Sequence, residues 1–201
     1  LGDPRHYTVG THSNFVPIGI GYIGTFLKKE IKEIDIELKL EVNAEKILSI
    51  LDNWKPDIVG LSNYVWNASL SNVICEYAKK INHNILCILG GPEFPAGSGA
   101  RSITNTEKEP TYDKSFKYLI DRPAVDYFAY SDGEVVFIEV LRKFIENKFS
   151  VEFMKSKNEA IKGCASLSTD KKKLLVGEYI PRIGMQGSIK AEGRDIISSP
   201  Y

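Results

Sequence analysis

Apolar residues along this chain alternate between short continuous runs and longer segments with helical spacing. The runs 57–62 and 85–89 are mainly apolar, which predicts strands buried on both faces, and 125–130 predicts a shorter strand. Four segments carry apolar residues three and four positions apart, which predicts helices at 17–33, 44–53, 69–82 and 133–147. Strands that alternate with helices predict a parallel sheet with helices on both faces.

Three other segments complete the expected organisation. Residues 34–42 alternate apolar and charged side chains, which predicts a half-exposed strand at or near a sheet edge. Residues 93–118 are polar and rich in proline and glycine, so we expect a long loop that is functional or mobile. A strand should precede helix 17–33, but 1–16 is polar. We therefore expect that strand to end at Leu1 or to be missing.

The end of the chain has a different pattern. Residues 161–168 and 173–176 flank a turn-like segment and predict a small C-terminal hairpin extension. We therefore expect an α/β domain over 1–148. Residues 149–201 are expected to form the hairpin extension and a linker toward a C-terminal domain that this sequence does not contain.

Composition narrows the functional classes. Lysine plus arginine and aspartate plus glutamate each number 26, so the net charge is zero, which disfavours a nucleic-acid partner. The apolar runs are far below the roughly 20 residues of a membrane span, and residues 1–6 do not resemble a signal peptide. Cys75, Cys87 and Cys164 form no disulfide framework or metal-type pair. We expect the first two in the core and the protein in the reducing cytoplasm.

The ends of the buried strands indicate where a ligand would bind, because ligands lie outside the carboxyl ends of an open parallel sheet. After the first run, residues 63–67 offer two aromatic rings and two amides. The alternative is that Tyr64 and Trp66 pack under a neighbouring loop while Asn67 caps the next helix. After the second run, residues 90–92 (Gly-Gly-Pro) either admit a ligand to the backbone or make only a tight turn.

Further candidates are weaker. Residues 131–134 open a helix after the third run, where amino termini favour anions, although Asp132 could serve only as a cap. His6 and His12 have no second metal ligand at a familiar spacing, and His83 is expected on the surface. The chain has no phosphate-binding loop, and the Gly-x-Gly-x-x-Gly spacing at 19–24 lies inside a predicted helix.

Five motifs in order resemble a known family: Pro17–Gly24, Pro56–Ser62, Trp66-Asn67, Gly90–Glu93 and Asp132–Phe137. The series is similar to the cobalamin-binding domain at the amino end of cobalamin-dependent radical S-adenosylmethionine enzymes. The resemblance covers about residues 10–147. Residues 198–201 also resemble the entry into the radical domain of those enzymes.

The resemblance implies a Rossmann-like (flavodoxin-like) domain with the corrin ring over the carboxyl edge and the nucleotide tail between sheet and helices. In such enzymes cobalamin relays a methyl group, while a radical domain with S-adenosylmethionine and an iron-sulfur cluster activates the substrate. Carried over by position, the cofactor-binding residues would be Asn14, Phe15, Ser62, Tyr64, Trp66, Asn67, Gly90, Gly91, Pro92, Asp132 and Glu134.

Two departures define what this chain alone would do. It lacks the Asp-x-His-x-x-Gly motif that supplies an axial histidine in methionine-synthase-like domains. It also lacks Cys-x-x-x-Cys-x-x-Cys, so it holds no cluster, and its partners would be a corrinoid and the C-terminal radical domain of the same parent chain.

Two other functions stay open. One is a flavodoxin-like regulatory or partner-docking module with no cofactor. In its receiver form this is disfavoured, because Asp57 begins a strand where a phosphoacceptor would end one. The other is an enzyme that uses another small ligand in the same crevice.

Overall fold

The protein is described by a computed structural model over residues 1–5, 17–95 and 110–180. Strands and helices alternate along most of these ranges, in the order β1 (Gly2–Arg5), α1 (Ile18–Glu30), β2 (Glu41–Asn43), α2 (Ala44–Trp54), β3 (Ile58–Ser62), α3 (Ala68–Ile81), β4 (Leu86–Gly90), α4 (Pro110–Ile120), β5 (Tyr127–Ala129), α5 (Gly133–Glu146), α6 (Val151–Ser156), β6 (Cys164–Leu167) and β7 (Leu174–Val176). The predicted α/β class is confirmed.

One seven-stranded sheet organises these elements, in the order β2-β1-β3-β4-β5-β6-β7. Strands β1 to β5 pair in parallel, and β6 and β7 form an antiparallel hairpin that continues the sheet beyond β5. The predicted C-terminal hairpin is therefore confirmed. The parallel register aligns the carboxyl ends of β3, β4 and β5 along one edge.

Helices cover both faces of the sheet. Helices α1 and α5 pack on one face, and α2, α3 and α4 on the other. Successive side chains of a strand point to opposite faces, so Leu86 and Ile88 of β4 face α1 and α5, while Cys87 and Leu89 face the other layer. Burial on both faces explains why the run 85–89 lacks alternation.

The first strand corrects the sequence interpretation. The strand expected to end at Leu1 or to be missing is β1, which lies inside the sheet between β2 and β3. The apolar pattern did not predict this strand, because Asp3 and Arg5 are half-buried polar residues. They form an ion pair of 2.8 Å with each other, which lowers the cost of placing them there.

The alternating segment 34–42 is also corrected. Only Glu41–Asn43 pairs in the sheet, and residues 35–40 form no regular structure. Ile34 and Ile36 nevertheless pack against the core on the α1 and α5 side. The alternation therefore reflects one-sided packing of an irregular segment.

The predicted loop 93–118 contains part of a helix. Helix α4 begins at Pro110, and its buried Tyr112 and Leu119 pack against the sheet on the α2 and α3 side. The short helix α6 was not predicted, although Ser150 caps it by accepting a hydrogen bond of 3.2 Å from the backbone N–H of Phe153. Helix α6 is short and helix α4 follows a polar stretch, so the helical spacing of apolar residues is weak in both segments.

The cysteines are buried free thiols, as expected for Cys75 and Cys87, and Cys164 shares this environment. Burial raises the pKa of the Cys164 thiol, because a thiolate would lose its hydration. Among the described helices, none has both the length and the apolar character needed to cross a membrane.

Phe144 of α5 tests the packing of the α1 and α5 face, because its side chain is fully buried. We expect Phe144→Ala to lower the free energy of unfolding by about 3–5 kcal/mol, through lost burial and a residual cavity. The matched control is Phe153→Ala, whose ring is 49% exposed and should cost below about 1 kcal/mol. Denaturant unfolding measures both, and equal losses would contradict this packing.

Candidate functional site

The carboxyl edge of the sheet brings the predicted strand-end residues together. Ser62 lies opposite Gly90, and Gly90 lies opposite Ala129, in the register of three neighbouring strands. These three residues therefore form one row across β3, β4 and β5. This is the position at which open parallel sheets bind ligands.

A cavity of about 210 Å³ adjoins this row, between the carboxyl ends of the strands and helices α1 and α5. The strand ends form one wall, and helices α1 and α5 form the other. Among the predicted cofactor-binding residues, those that line it are Ser62, Tyr64, Gly90, Gly91 and Glu134. Trp66, Asn67, Pro92 and Asp132 lie outside the cavity lining, and Asn14 and Phe15 lie outside the described residues.

Glycines keep this cavity open. A Cβ added to Gly19 of α1 would have no atom within 4 Å, and one added to Gly90 would meet only Ala129, at 3.4 Å and beyond. The fold does not need a glycine at either position for steric reasons, yet both residues line the cavity. The missing side chains leave room for a ligand.

Gly91 differs from these two glycines. Its φ is +140°, and an added Cβ would lie 2.5 Å from the backbone oxygen of Asn63. The turn itself therefore requires a glycine at this position. The tight-turn interpretation accounts for Gly91, whereas the cavity accounts for Gly90.

A partly buried polar network lies beside the row, on β1 and the end of β3. Ser62 Oγ donates to Asp3 Oδ1 at 2.5 Å, and Asn67 Nδ2 donates to Ser62 Oγ at 3.0 Å and to Asp3 Oδ1 at 3.3 Å. The sequence analysis missed Asp3, because its strand was not recognised. The polar segment 2–5 has no apolar run that would mark it as a strand, so no pattern in the sequence indicated Asp3.

The loop between β3 and α3 carries an aromatic pair on its surface. The rings of Tyr64 and Trp66 stack with centroids 4.6 Å apart and planes 3° apart. Trp66 remains 60% exposed and Val65 74% exposed, so the alternative in which these aromatics pack under a neighbouring loop does not hold for the indole. The pair offers a flat apolar surface beside the cavity.

Asn67 is buried beneath this loop, with 1% of its surface exposed. It occupies the position before α3, but its side chain makes no capping hydrogen bond to the helix. Its Oδ1 instead accepts a hydrogen bond of 2.7 Å from the backbone N–H of Tyr64. Asn67 therefore holds the loop together from inside.

Asn63 points to the opposite face of the sheet. Its Nδ2 donates to the hydroxyl of Tyr118 on α4 at 2.8 Å, while its Oδ1 is buried without a hydrogen-bond partner in the described part of the chain. Burial raises the pKa of the Tyr118 phenol, which keeps it in the neutral form. This contact ties the end of β3 to α4 and lies away from the cavity.

The amino end of α5 contributes the acidic group of the cavity. Glu134 lines the wall, and burial, with a smaller effect of Asp132, raises the pKa of its carboxyl group. Asp132 precedes α5 without a side-chain capping bond. The wall therefore presents a carboxyl group with a reduced tendency to ionise, together with the hydroxyls of Ser62 and Ser131.

Other candidates do not join this site. His83 is exposed at a helix end, as expected, while His6 and His12 lie outside the described residues. Within 1–5, 17–95 and 110–180, no group of three or more histidine, cysteine, aspartate or glutamate residues could hold a metal ion. A larger cavity of about 310 Å³ lies under residues 34–39 at the amino edge, where parallel sheets do not place their ligands.

The sequence around this site is similar to that of known proteins. Residues 7–98 match the family model of the B12 binding domain. The matched segment spans α1 through β4 and so includes the strand ends at Ser62 and Gly90, while the α5 wall of the cavity follows the matched segment.

Two relatives extend the comparison. The cobalamin-dependent radical SAM methyltransferase TokK of Streptomyces tokunonensis is 30% identical over 87 residues, which are 43% of this chain and 10% of TokK. The uncharacterized methyltransferase PH0819 of Pyrococcus horikoshii is 24% identical over 127 residues, or 62% of this chain and 24% of that protein. The predicted resemblance to the cobalamin-binding domains of such enzymes is confirmed, and the chain spans only a small part of either relative.

Glu134 gives a pH-dependent prediction. Because the folded-state pKa is raised, the native state binds this proton more tightly than the unfolded chain does, and the stabilising contribution is lost as pH rises through the raised pKa. We therefore expect Glu134→Gln to raise the melting temperature at pH 7, and the gain to vanish below about pH 4, where the unfolded group is also protonated. Melting curves at both pH values measure this, and a pH-independent difference would contradict it.

Proposed function

We propose that this chain holds a cobalamin cofactor at the carboxyl edge of its sheet. The cavity between the strand ends and helices α1 and α5 carries this proposal. Gly19 and Gly90 leave that space open without a steric need of the fold, and both lie within the B12 binding domain. The residues present therefore fit the cofactor that the family implies.

The two parts of the site suit the two parts of the cofactor. The cavity lies between sheet and helices, where the nucleotide tail is expected, and its polar groups are the hydroxyls of Ser62 and Ser131 and the carboxyl group of Glu134. The Ser131 hydroxyl and a protonated Glu134 can donate to phosphate or ribose oxygens, whereas Ser62 Oγ, whose proton goes to Asp3, can accept from a ribose hydroxyl. The stacked rings of Tyr64 and Trp66 offer a flat surface for the corrin at the mouth.

We further propose that the parent protein is a cobalamin-dependent radical S-adenosylmethionine methyltransferase. When bound, cobalamin would supply a cobalt centre that accepts and donates a methyl group. The similarity to TokK, a cobalamin-dependent radical SAM methyltransferase, supports this assignment, and the similarity to the methyltransferase PH0819 supports methyl transfer. The role of this chain's own residues is to bind and orient the cofactor, since its sequence contains no Cys-x-x-x-Cys-x-x-Cys for a cluster.

The proposed parent enzyme implies the boundaries of the domains and the cellular compartment of the protein. Residues 1–148 would form the cofactor-binding unit, and 149–201 would lead to the C-terminal radical domain, which would bring S-adenosylmethionine and the iron-sulfur cluster. The hairpin β6–β7 pairs with β5 and continues the sheet, so the connection toward the radical domain would follow it. Three buried free thiols support a reducing, cytoplasmic location.

One observation favours the alternative of a partner-docking module without a cofactor. Val65 and Trp66 expose large apolar surfaces, as docking residues do. A binding measurement distinguishes the two functions.

Corrinoid retention tests the main proposal. We expect the purified chain, mixed with hydroxocobalamin and desalted, to retain about one corrinoid per chain with a shifted visible spectrum, since a preformed cavity slows dissociation. The control is serum albumin treated in the same way. A chain that elutes without corrinoid would favour the docking module.

Two substitutions of Gly19 test whether the ligand occupies the cavity. Gly19→Phe projects a ring into open space at the cavity and should weaken hydroxocobalamin binding at least about tenfold, because the tail and the ring compete for the same volume. Gly19→Ala adds only a methyl group and should bind like the parent. Spectroscopic titration measures both affinities, and equal binding by the two variants would contradict this placement.

Cobinamide, which lacks the nucleotide tail, separates the cavity from the mouth of the site. Its affinity should be nearly the same for the Gly19→Phe and Gly19→Ala variants, because no tail enters the cavity. A loss of cobinamide binding equal to the loss of hydroxocobalamin binding would indicate general disruption of the site.

A further inference from the structure

Asp3 is a hub of hydrogen bonds on the inner strand β1. Its Oδ1 accepts from Ser62 Oγ at 2.5 Å and Asn67 Nδ2 at 3.3 Å, while its Oδ2 accepts from Arg5 Nε at 3.2 Å and Arg5 Nη2 at 2.8 Å. The Asp3 side chain is 14% exposed. Each carboxylate oxygen therefore serves a different neighbour.

Asn67 links this hub to the aromatic loop. Its Nδ2 donates to Asp3 and Ser62, and its Oδ1 accepts from the backbone N–H of Tyr64. The backbone N–H of Asn67 also donates to the carbonyl oxygen of Tyr64 at 3.0 Å. The loop that carries Tyr64 and Trp66 is thus closed on Asn67, and Asn67 is held by Asp3.

The chemistry requires a carboxylate at this position. Donors approach both oxygens of Asp3, from Ser62 and Asn67 on one side and from Arg5 on the other. An amide has one acceptor oxygen, so it must turn its NH₂ group toward one of these sets of donors. Hydrogen bonds to an ionised acceptor are also the stronger ones.

The position of Asp3 suits a fixed anchor for a loop. Strand β1 pairs with β2 on one side and β3 on the other, so its backbone is held by the sheet. The loop exposes Val65 and Trp66, and the Trp66 ring stacks on Tyr64 of the same loop. A rigid element that holds a loop residue pre-organises a binding site.

We infer that Asp3 is a positioning residue of the corrinoid site, which fixes the Tyr64–Trp66 pair through Asn67. The inference rests on the proposed function for its ligand, but the positioning itself exists in the free protein. Loss of the Asp3 carboxylate should free the loop and weaken corrinoid binding about tenfold, because an ordering cost then falls on binding.

Trp66 fluorescence measures the positioning without any ligand. The chain has two tryptophans, so a Trp54→Phe background leaves Trp66 as the single reporter. In that background we expect Asp3→Asn to lower the fluorescence anisotropy of Trp66 and to increase its quenching by acrylamide. The matched control is Asp57→Asn, an exposed aspartate at the opposite end of the sheet, which should change neither signal.

A reciprocal exchange distinguishes positioning from general stability. Asn67→Asp places a carboxylate against Asp3 and should loosen Trp66 as Asp3→Asn does. The double variant Asp3→Asn/Asn67→Asp restores one donor and one acceptor to this contact, and should recover much of the anisotropy and the hydroxocobalamin affinity. Should Asp3→Asn fail to fold, Asn67→Asp carries the test from the loop side.

The outcomes separate the two claims. Unchanged Trp66 anisotropy in Asp3→Asn and Asn67→Asp, or a double variant no better than either single one, would overturn the positioning role. Loosened Trp66 with unchanged hydroxocobalamin affinity would overturn its relevance to the ligand. If even the unmutated chain retains no hydroxocobalamin, the proposed function fails, while the anisotropy still decides whether Asp3 holds the loop.

Discussion

The parallel register of β3, β4 and β5 is the constraint on which the site depends. It places Ser62, Gly90 and Ala129 side by side at one edge, and it does so because these strands are buried on both faces between two helical layers. Hydrophobic burial therefore does more than stabilise the domain. It aligns three strand ends so that the small residues among them open onto one cavity.

The carboxyl edge combines a cavity beside the rigid sheet with an exposed aromatic loop. Gly19 and Gly90 leave room at the cavity between the strand ends and the helices, while Tyr64 and Trp66 present an aromatic surface beside it. Asp3 connects the strand that is fixed in the sheet with the loop that is not. Such a division suits a cofactor with a flat ring and a long tail, in agreement with the match of residues 7–98 to the B12 binding domain.

The sequence predicted the strands that are buried on both faces and the parts of the site that lie in one short motif. The run 85–89 identified β4, and the small residues at its end identified one wall of the cavity. Asp3 could not be found in this way, because its strand is polar and its partners, Ser62 and Asn67, are distant in sequence. Helix α4 was missed for a related reason: it follows a polar stretch, and its buried face becomes visible only against the sheet.

A crystal structure of the chain with hydroxocobalamin tests the central claim most directly. The account predicts nucleotide-tail density between the sheet and helices α1 and α5, in contact with the strand end at Ser62 and the wall at Glu134, and the corrin ring beside Tyr64 and Trp66. A corrinoid bound elsewhere, or a cavity filled by protein side chains under saturating ligand, would contradict it.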